Sequence, residues 1–362
     1  NPYWDVYKNS NSSKKDQFRF NGKVVWNITQ HLKVQGTAGA ELNWFTFEDY
    51  KAPTTPGYES GYLQNNNFRN RMYNFELLAL YNNSWGNFDF NATLGGNLYK
   101  VNNQTIVTTA KDMKIRDVVA LMSFNEVSVE PYSYRKQINS IYGAVNLGWK
   151  HMLYFDATLR GDQSSTLPIS NNMYIYPSFS GSFVFSELLK LGDKLPYGKV
   201  RMSWAQVGSD TDPYQLGLVY TKSKFAYPGY TIGYISNGTI PNKDLKPTKT
   251  NSFEMGLELK FLKNRIGLDF TYYSQLSKNQ IMGMASSSTS GYGYRLINAG
   301  EIENKGVEIA LNTRPIQTKD FSWDLNFNFS KNSNKVKKLV DDMDMFELEK
   351  ATWLDVQVCL LY

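Results

Sequence analysis

Between Val307 and Ser330 the sequence changes polarity at almost every step, and this two-residue rhythm constrains the fold more than any other feature. Val307, Ile309, Leu311 and Thr313 alternate with Glu308, Ala310, Asn312 and Arg314. After a short polar break, Phe321, Trp323, Leu325, Phe327 and Phe329 alternate with Ser322, Asp324, Asn326, Asn328 and Ser330. Successive side chains of a strand point to opposite faces, so each run is a strand with one apolar and one polar face. Comparable runs cover roughly 17–29, 32–44, 68–81, 86–100, 134–149, 152–160, 173–185, 199–207, 249–261, 265–280, 302–313 and 321–332. In the ninth, Phe253, Met255, Leu257, Leu259 and Phe261 oppose Glu254, Gly256, Glu258 and Lys260.

The connections alternate in length. Short turns fall near Gln30-His31, at 82–85, Lys150-His151, Lys263-Asn264 and 314–320, with a compact link at 186–198 predicted to hold a turn or two of helix. Long loops fall at 45–67, 101–133, 161–172, 208–248 and 281–301. Short connections at one edge and long ones at the other describe up-and-down hairpins with two unlike ends, the layout of an outer-membrane barrel. A soluble β-sandwich also has one apolar and one polar face per strand. The runs are long for it, since soluble strands average about 5–6 residues and a tilted membrane strand needs about 9–11. Aromatics beside the short turns (Tyr81, Trp85, Trp149, Phe261, Phe321 and Trp323) suit an interfacial girdle. The pattern therefore predicts an all-β, antiparallel, up-and-down transmembrane β-barrel. What lies against the apolar face, lipid or a second sheet, separates the two folds.

A mean hydropathy of −0.46 fits a chain whose lumen and loops are polar. No apolar run approaches the roughly 20 residues of a membrane helix. The net charge of +6 is spread along 362 residues without a basic block, which argues against nucleic acid as a partner. One cysteine, Cys359, excludes an internal disulfide.

Several stretches resemble the SusC-like (RagA-like) branch of the TonB-dependent outer-membrane transporters of Bacteroidetes. Asn1-Pro2-Tyr3-Trp4 is similar to that family's NPYW segment, and Leu159–Thr166 (LRGDQSST) to its R-x-D-G-S-S loop, with Gln163 at the usual glycine. Tyr176–Glu187 resembles the F-P-S-x-S-x-x-W-x-x-S-E strand, with Phe183 at the usual tryptophan. Val200–Tyr214, Leu245–Tyr273 and Asn298–Arg314 follow in family order. The resemblance implies an importer of glycan oligosaccharides or peptides in a Gram-negative outer membrane. It implies a SusD-like lipoprotein as extracellular lid and TonB as energy source through a plug domain. Twelve strands of a roughly 22-stranded plugged barrel, with neither plug nor TonB-contacting box in view, mark the chain as an internal part of a longer transporter. An extracellular carbohydrate-binding or adhesive β-sandwich is the alternative.

Chemistry on the substrate is not expected, and neither is a resident cofactor. His31 and His151 sit at separate short turns, Cys359 has no nucleophile setting, and Gly291-Tyr292-Gly293 lacks the strand and helix of a dinucleotide site. Asp341, Asp342 and Asp344 offer carboxylates for Ca²⁺ in a loop but lack EF-hand spacing, so a solvated acidic loop is the simpler reading. The long loops concentrate tyrosine. Tyr227, Tyr230, Tyr234, Tyr292 and Tyr294, with Arg295, are the candidate substrate contacts, suited to stacking on sugar rings or peptide side chains; packing of the loops on one another is the other use for such rings.

Overall fold

The computed structural model describes residues 2–190, 192–222, 228–230, 232–235, 238–339, 345–351 and 356–361. Its long strands are β1 (Ser10–Asn27), β2 (Leu32–Lys51), β3 (Tyr62–Trp85), β4 (Phe88–Met113), β5 (Phe124–Trp149), β6 (Leu153–Ser164), β7 (Met173–Val184) and β8 (Tyr197–Ser209). Three short strands follow, β9 (Tyr220–Lys222), β10 (Gly233–Ile235) and β11 (Thr239–Ile240). The long series resumes with β12 (Thr248–Phe261), β13 (Ile266–Ala285), β14 (Tyr294–Gln317) and β15 (Ser322–Lys338), and ends on β16 (Met345–Ala351) and β17 (Val356–Leu361). Two short helices complete the set, α1 (Pro2–Lys8) and α2 (Phe185–Leu189), the latter inside the link where the sequence predicts one.

The twelve long strands lie side by side in chain order and, with β11 added beside β14, make one 13-stranded sheet. β9 with β10, and β16 with β17, form separate two-stranded sheets. Each of the alternating sequence runs becomes one long strand. The β16–β17 pair (Met345 opposite Leu361, Ala351 opposite Val356) has no counterpart among the alternating runs.

Strand ends differ from the expected ones at the long-loop edge. The loops expected at 45–67, 101–133 and 281–301 contract to 52–61, 114–123 and 286–293. β3, β4 and β5 run 24, 26 and 26 residues, well beyond the roughly 9–11 that a membrane crossing needs. Where both faces of a ladder meet water the polarity alternation fades, yet the backbone goes on pairing. At the short edge the turns at Gln30-His31, Lys150-His151 and Lys263-Asn264 stand as expected, whereas 82–85 belongs to β3 with its turn at 86–87, and β14 runs on into the link expected at 314–320. Lys150 and His151 have φ of 50° and 54°, the left-handed pair of a tight hairpin turn. Leu262, Lys263 and Asn264 are left-handed too.

The chain divides into two compact units. The first comprises Asn1–Val25, Gln35–Leu77 and Asn97–Asn139; the second comprises Trp26–Val34, Leu78–Gly96 and Ser140–Tyr362. In the first, Tyr50, Ala52, Leu63, Ala110, Met113 and Phe124 form a small core with Trp4 packed on it. In the second, Leu167, Leu245 and Leu296 do so, flanked by Tyr174, Leu216 and Ile281. Both clusters sit at the long-loop edge.

Across β6–β8 and β12–β15 the register lines up Leu153, Phe183, Val200, Leu257, Phe270, Ile309 and Phe329. The adjacent row, on the other face, is Tyr154, Ser182, Arg201, Gly256, Thr271, Glu308 and Ser330. The apolar face stays uncovered: Phe155, Phe179, Met202, Met255, Leu325 and Phe327 are 41–60% exposed. Among the described residues no second sheet lies against it. That removes the sandwich, whose apolar face must be packed. Trp85, Phe88 and Trp149 mark the short-turn end of this face, Phe88 and Trp149 in ring contact at 6.4 Å, and Lys150 Nζ lies 4.9 Å from the Trp149 ring. Aromatic and basic groups in that place are the interfacial anchors of a membrane strand.

Candidate functional site

The polar face is built by side chains that reach across strands. On β8, Arg201 extends past β12 to β13, where its guanidinium donates to both carboxylate oxygens of Asp269 (3.1 and 3.0 Å) and to the Thr271 hydroxyl (2.6 Å). It crosses over Gly256, where any Cβ would overlap the guanidinium. The device repeats: Tyr273 on β13 passes over Gly306 on β14 and donates to Asn332 Oδ1 on β15 (3.0 Å). A fork matching a carboxylate bidentately is the strongest form of such a pair, though each partner is over a third exposed and solvent screens it.

Toward the long-loop edge the alternate residues of LRGDQSST converge on one network. Arg160 donates to Asp162 Oδ1 and to Ser140 Oγ, both at 2.9 Å, and lies 5.1 Å from the Tyr142 ring. The Tyr176 hydroxyl donates to the other Asp162 oxygen. Ser164 and Thr166, both buried, donate to Asp210 Oδ2 at 2.5 and 3.1 Å. Asp210 starts the long excursion 210–247, so this carboxylate clamps the loop's first residue to the β6–β7 hairpin.

The loop's far end is held as firmly. Leu245 is fully buried against Leu167 and Leu296. The Asn298 side chain accepts the Lys246 N–H (2.7 Å) and donates to the carbonyls of Lys246 (2.7 Å) and Asn279 (3.1 Å). It thereby serves as a strand partner for a segment with no strand of its own. β11 then pairs in parallel with the start of β14, Thr239 opposite Tyr294 and Ile240 opposite Arg295. In the first unit the loop 52–61 is pinned likewise: Trp4 Nε1 donates to Thr55 Oγ1 (3.0 Å), while Asn9 Oδ1 accepts from the Ala52 N–H and the Thr55 hydroxyl. In that loop the Gly57 N–H, donated to Glu59, holds the Glu59 carboxyl below the usual carboxylate range.

The candidate contact residues are distributed over this edge. Tyr227 lies outside the described residues. Tyr230 is exposed. Tyr234 is half exposed on β10, opposite Thr221 of β9, in a two-stranded sheet that among the described residues holds these two strands alone. Tyr292 occupies the β13–β14 turn, its N–H donated to Ser290 Oγ (3.2 Å). Tyr294 and Arg295, expected in a loop, open strand β14 opposite Ala285 and Met284. Tyr294 is nonetheless exposed, and its N–H donates to Gly238 (3.0 Å). The structure thus joins Tyr294 and Arg295 to the β11 end of the long excursion and carries Tyr234 on a separate hairpin.

His31 and His151 are turn residues: His31 Nδ1 is 3.0 Å from the Asn82 carbonyl and His151 Nδ1 is 3.8 Å from Asp89. Among the described residues no three of His, Cys, Asp and Glu gather where they would hold a metal ion. Asp341, Asp342 and Asp344 lie outside the described residues.

An uncovered apolar face backed by a wired polar face is what a membrane barrel wall requires, and comparison with known families agrees. The model of the TonB-dependent receptor-like β-barrel matches residues 1–345. The chain belongs to that family. It is 28% identical over 360 residues to TonB-dependent receptor P3 of Formosa agariphila, covering 96% of this chain and 35% of the relative. It is 26% identical over 383 residues to TonB-dependent receptor SusC of Bacteroides thetaiotaomicron, covering 96% and 37%. The chain therefore spans about a third of the length of these curated relatives. In fold it is similar to the RagAB peptide transporter, with a TM-score of 0.85 at 21% identity over 96% of this chain and 39% of that one. The siderophore receptor PiuA of Acinetobacter baumannii is more distant, at a TM-score of 0.59 and 14% identity over 90% and 48%.

Proposed function

We propose that the chain forms barrel wall in an outer-membrane importer that takes glycan oligosaccharides or peptides into a Gram-negative cell. The observation that carries this reading is the sheet itself, whose large apolar residues stay uncovered while the residues between them are hydrogen-bonded across strands. Such a wall separates lipid from a wet lumen and needs no reaction chemistry. The work of import then falls to a plug driven by TonB and to a SusD-like lipoprotein over the long-loop edge. Family membership and the relatives named SusC and RagAB support both partners.

In this reading the Asp210 and Asn298 clamps hold the excursion 210–247 so that Tyr230, Tyr234, Tyr292, Tyr294 and Arg295 face incoming substrate. Uptake of labelled oligosaccharide and labelled peptide by cells with and without the intact protein tests it. Loss of uptake of one class in the deletion, and again in a strain lacking TonB, supports the reading. Uptake of both classes unchanged in the deletion contradicts it.

A further inference from the structure

Basic residues are dispersed along the sequence, yet the register of the first unit gathers several of them on the apolar side of the wall. Asn97 Nδ2 donates to Asn74 Oδ1 (2.7 Å) and Tyr99 lies against Met72 Sδ (3.4 Å), which fixes the β3–β4 register on the polar face. One residue on, Lys100 stands opposite Arg71 on the other face. On β4 and β5, Asn125 bonds Asp112 (2.7 Å) and Ser128 bonds the Thr109 carbonyl (3.5 Å). The same count puts Arg135 opposite Asn102, and Asn102 opposite Arg69. Arg69, Arg71, Lys100 and Arg135 therefore share one patch across three strands, with half-exposed Trp44 on the same face of β2.

The depth of the patch is what gives it meaning. On β3 the uncovered side reads Leu77, Phe75, Tyr73, Arg71, Arg69 toward the long-loop edge. From Trp85 back to Phe75 the strand holds about the number of residues that crosses a bilayer, about 9–11. Apolar residues stop there, Tyr73 and Trp44 supply the aromatics of an interface, and the cations follow at once. That is the level of lipid headgroups. No ion pair engages Arg69, Arg71 or Lys100 among the described residues, and Arg71 Nε is shut off from solvent without a hydrogen-bond partner. Arg69 is exposed and Arg71 and Lys100 are partly exposed, so a phosphate at this level supplies the countercharge that these cations lack.

We propose that Arg69, Arg71 and Lys100, with Arg135 in the next row, form a binding patch for the phosphate groups of a phosphorylated glycolipid of the outer leaflet, lipid A. The patch faces the membrane rather than the lumen and so lies apart from any substrate path. Two guanidinium forks and an ammonium on adjacent strands match phosphate by charge and by bidentate geometry, and headgroup phosphates are what such pockets select at a membrane surface. The proposal rests on the membrane placement above.

The test uses the intact protein in phosphatidylcholine nanodiscs, titrated with fluorescent lipid A. The expected result is that Arg69→Gln/Arg71→Gln/Lys100→Gln weakens lipid A binding about tenfold or more. Removing the phosphates from lipid A should cause the same loss with the unaltered protein. Lys100→Gln alone, the milder change should the triple variant not assemble, should weaken binding in the same direction, and Arg69→Lys/Arg71→Lys should retain part of it. Equal affinity in the Gln variants, equal affinity for dephosphorylated lipid A, or full competition by inorganic phosphate at matched concentration each overturns the proposal. A protein that fails to enter nanodiscs refutes the membrane placement and the patch with it, whereas insertion with indifference to lipid phosphate refutes the patch alone.

Discussion

On β6–β8 and β12–β15 the same strands present two surfaces made by different rules. Along one, Phe155, Phe179, Met202, Met255 and Phe327 stand uncovered, with Phe179 stacked on Trp204 of the same face. Along the other, one residue away in each case, Asp156 accepts from Asn146 and Ser180, Arg201 forks onto Asp269, and Tyr273 reaches Asn332. Hydrocarbon asks of a side chain only that it be apolar, so the outer surface is specified residue by residue through hydropathy. A wet lumen leaves hydrophobicity no role, and order there comes from pairs whose members sit up to two strands apart. The outer face should accept any apolar swap and reject charge, while the inner face should accept charge and reject loss of fit.

The largest test of this contrast is Leu257→Arg against Glu258→Arg, neighbours on β12. Arginine on the lipid face near mid-depth costs roughly 2–4 kcal/mol, whereas the inner face already carries Glu254, Glu258 and Lys260. Folding titrations of the intact protein in lipid should show a clear loss for the first variant and a small change for the second. Comparable losses in both would erase the distinction.

Next in size is fit on the inner face. Gly256→Val keeps a residue suited to strands but drives a Cβ into Arg201. Overpacking of this kind costs about 1–3 kcal/mol. Arg201→Ser in the same molecule should relieve part of the loss, because the clash and not the strand is the cause. The control is Gly36→Val, where a new Cβ meets nothing within 4 Å. A midpoint as low in the control, or no relief in the double variant, would show that strand chemistry decides.

Smaller and more local, Asn298→Ala removes the clasp on Lys246 and the bond to Asn279. Net loss should be about 1 kcal/mol for each of the three bonds, felt as faster hydrogen exchange around Lys246 with the β12–β14 ladder still protected. Loss of protection along the whole ladder would make Asn298 a folding residue instead of a loop clamp.

The loop aromatics come last for stability. Tyr230→Ala, Tyr234→Ala, Tyr292→Ala and Tyr294→Ala together should leave barrel assembly unchanged while weakening substrate capture by ~1 kcal/mol or more for each ring in contact. Unchanged capture would assign these rings to loop packing.

The strand order was legible in the sequence because a membrane wall forces polarity to alternate for as long as lipid and lumen lie on opposite sides. The ends of β3, β4 and β5 were not, because water bathes both faces there and the signal that defined the strand disappears. Arg201 and Gly256 are unremarkable in sequence; only cross-strand register makes them a pair. The clamp at Asp210 was half visible, since Arg160, Asp162, Ser164 and Thr166 alternate as polar residues on one face, but nothing local indicates their partner. Tyr294 and Arg295 were found by composition, and their place at the head of β14 depends on β11, a strand too short to carry a pattern.

The central claim is that the uncovered face meets lipid. In a Cys359→Ser background of the intact protein, Leu257→Cys and Glu258→Cys can each carry a fluorophore in bilayers containing a lipid-soluble quencher. Strong quenching at 257 with little at 258 is the predicted result. Weak and equal quenching at both positions would contradict it, and with it the assignment of one face to the membrane and the other to the lumen.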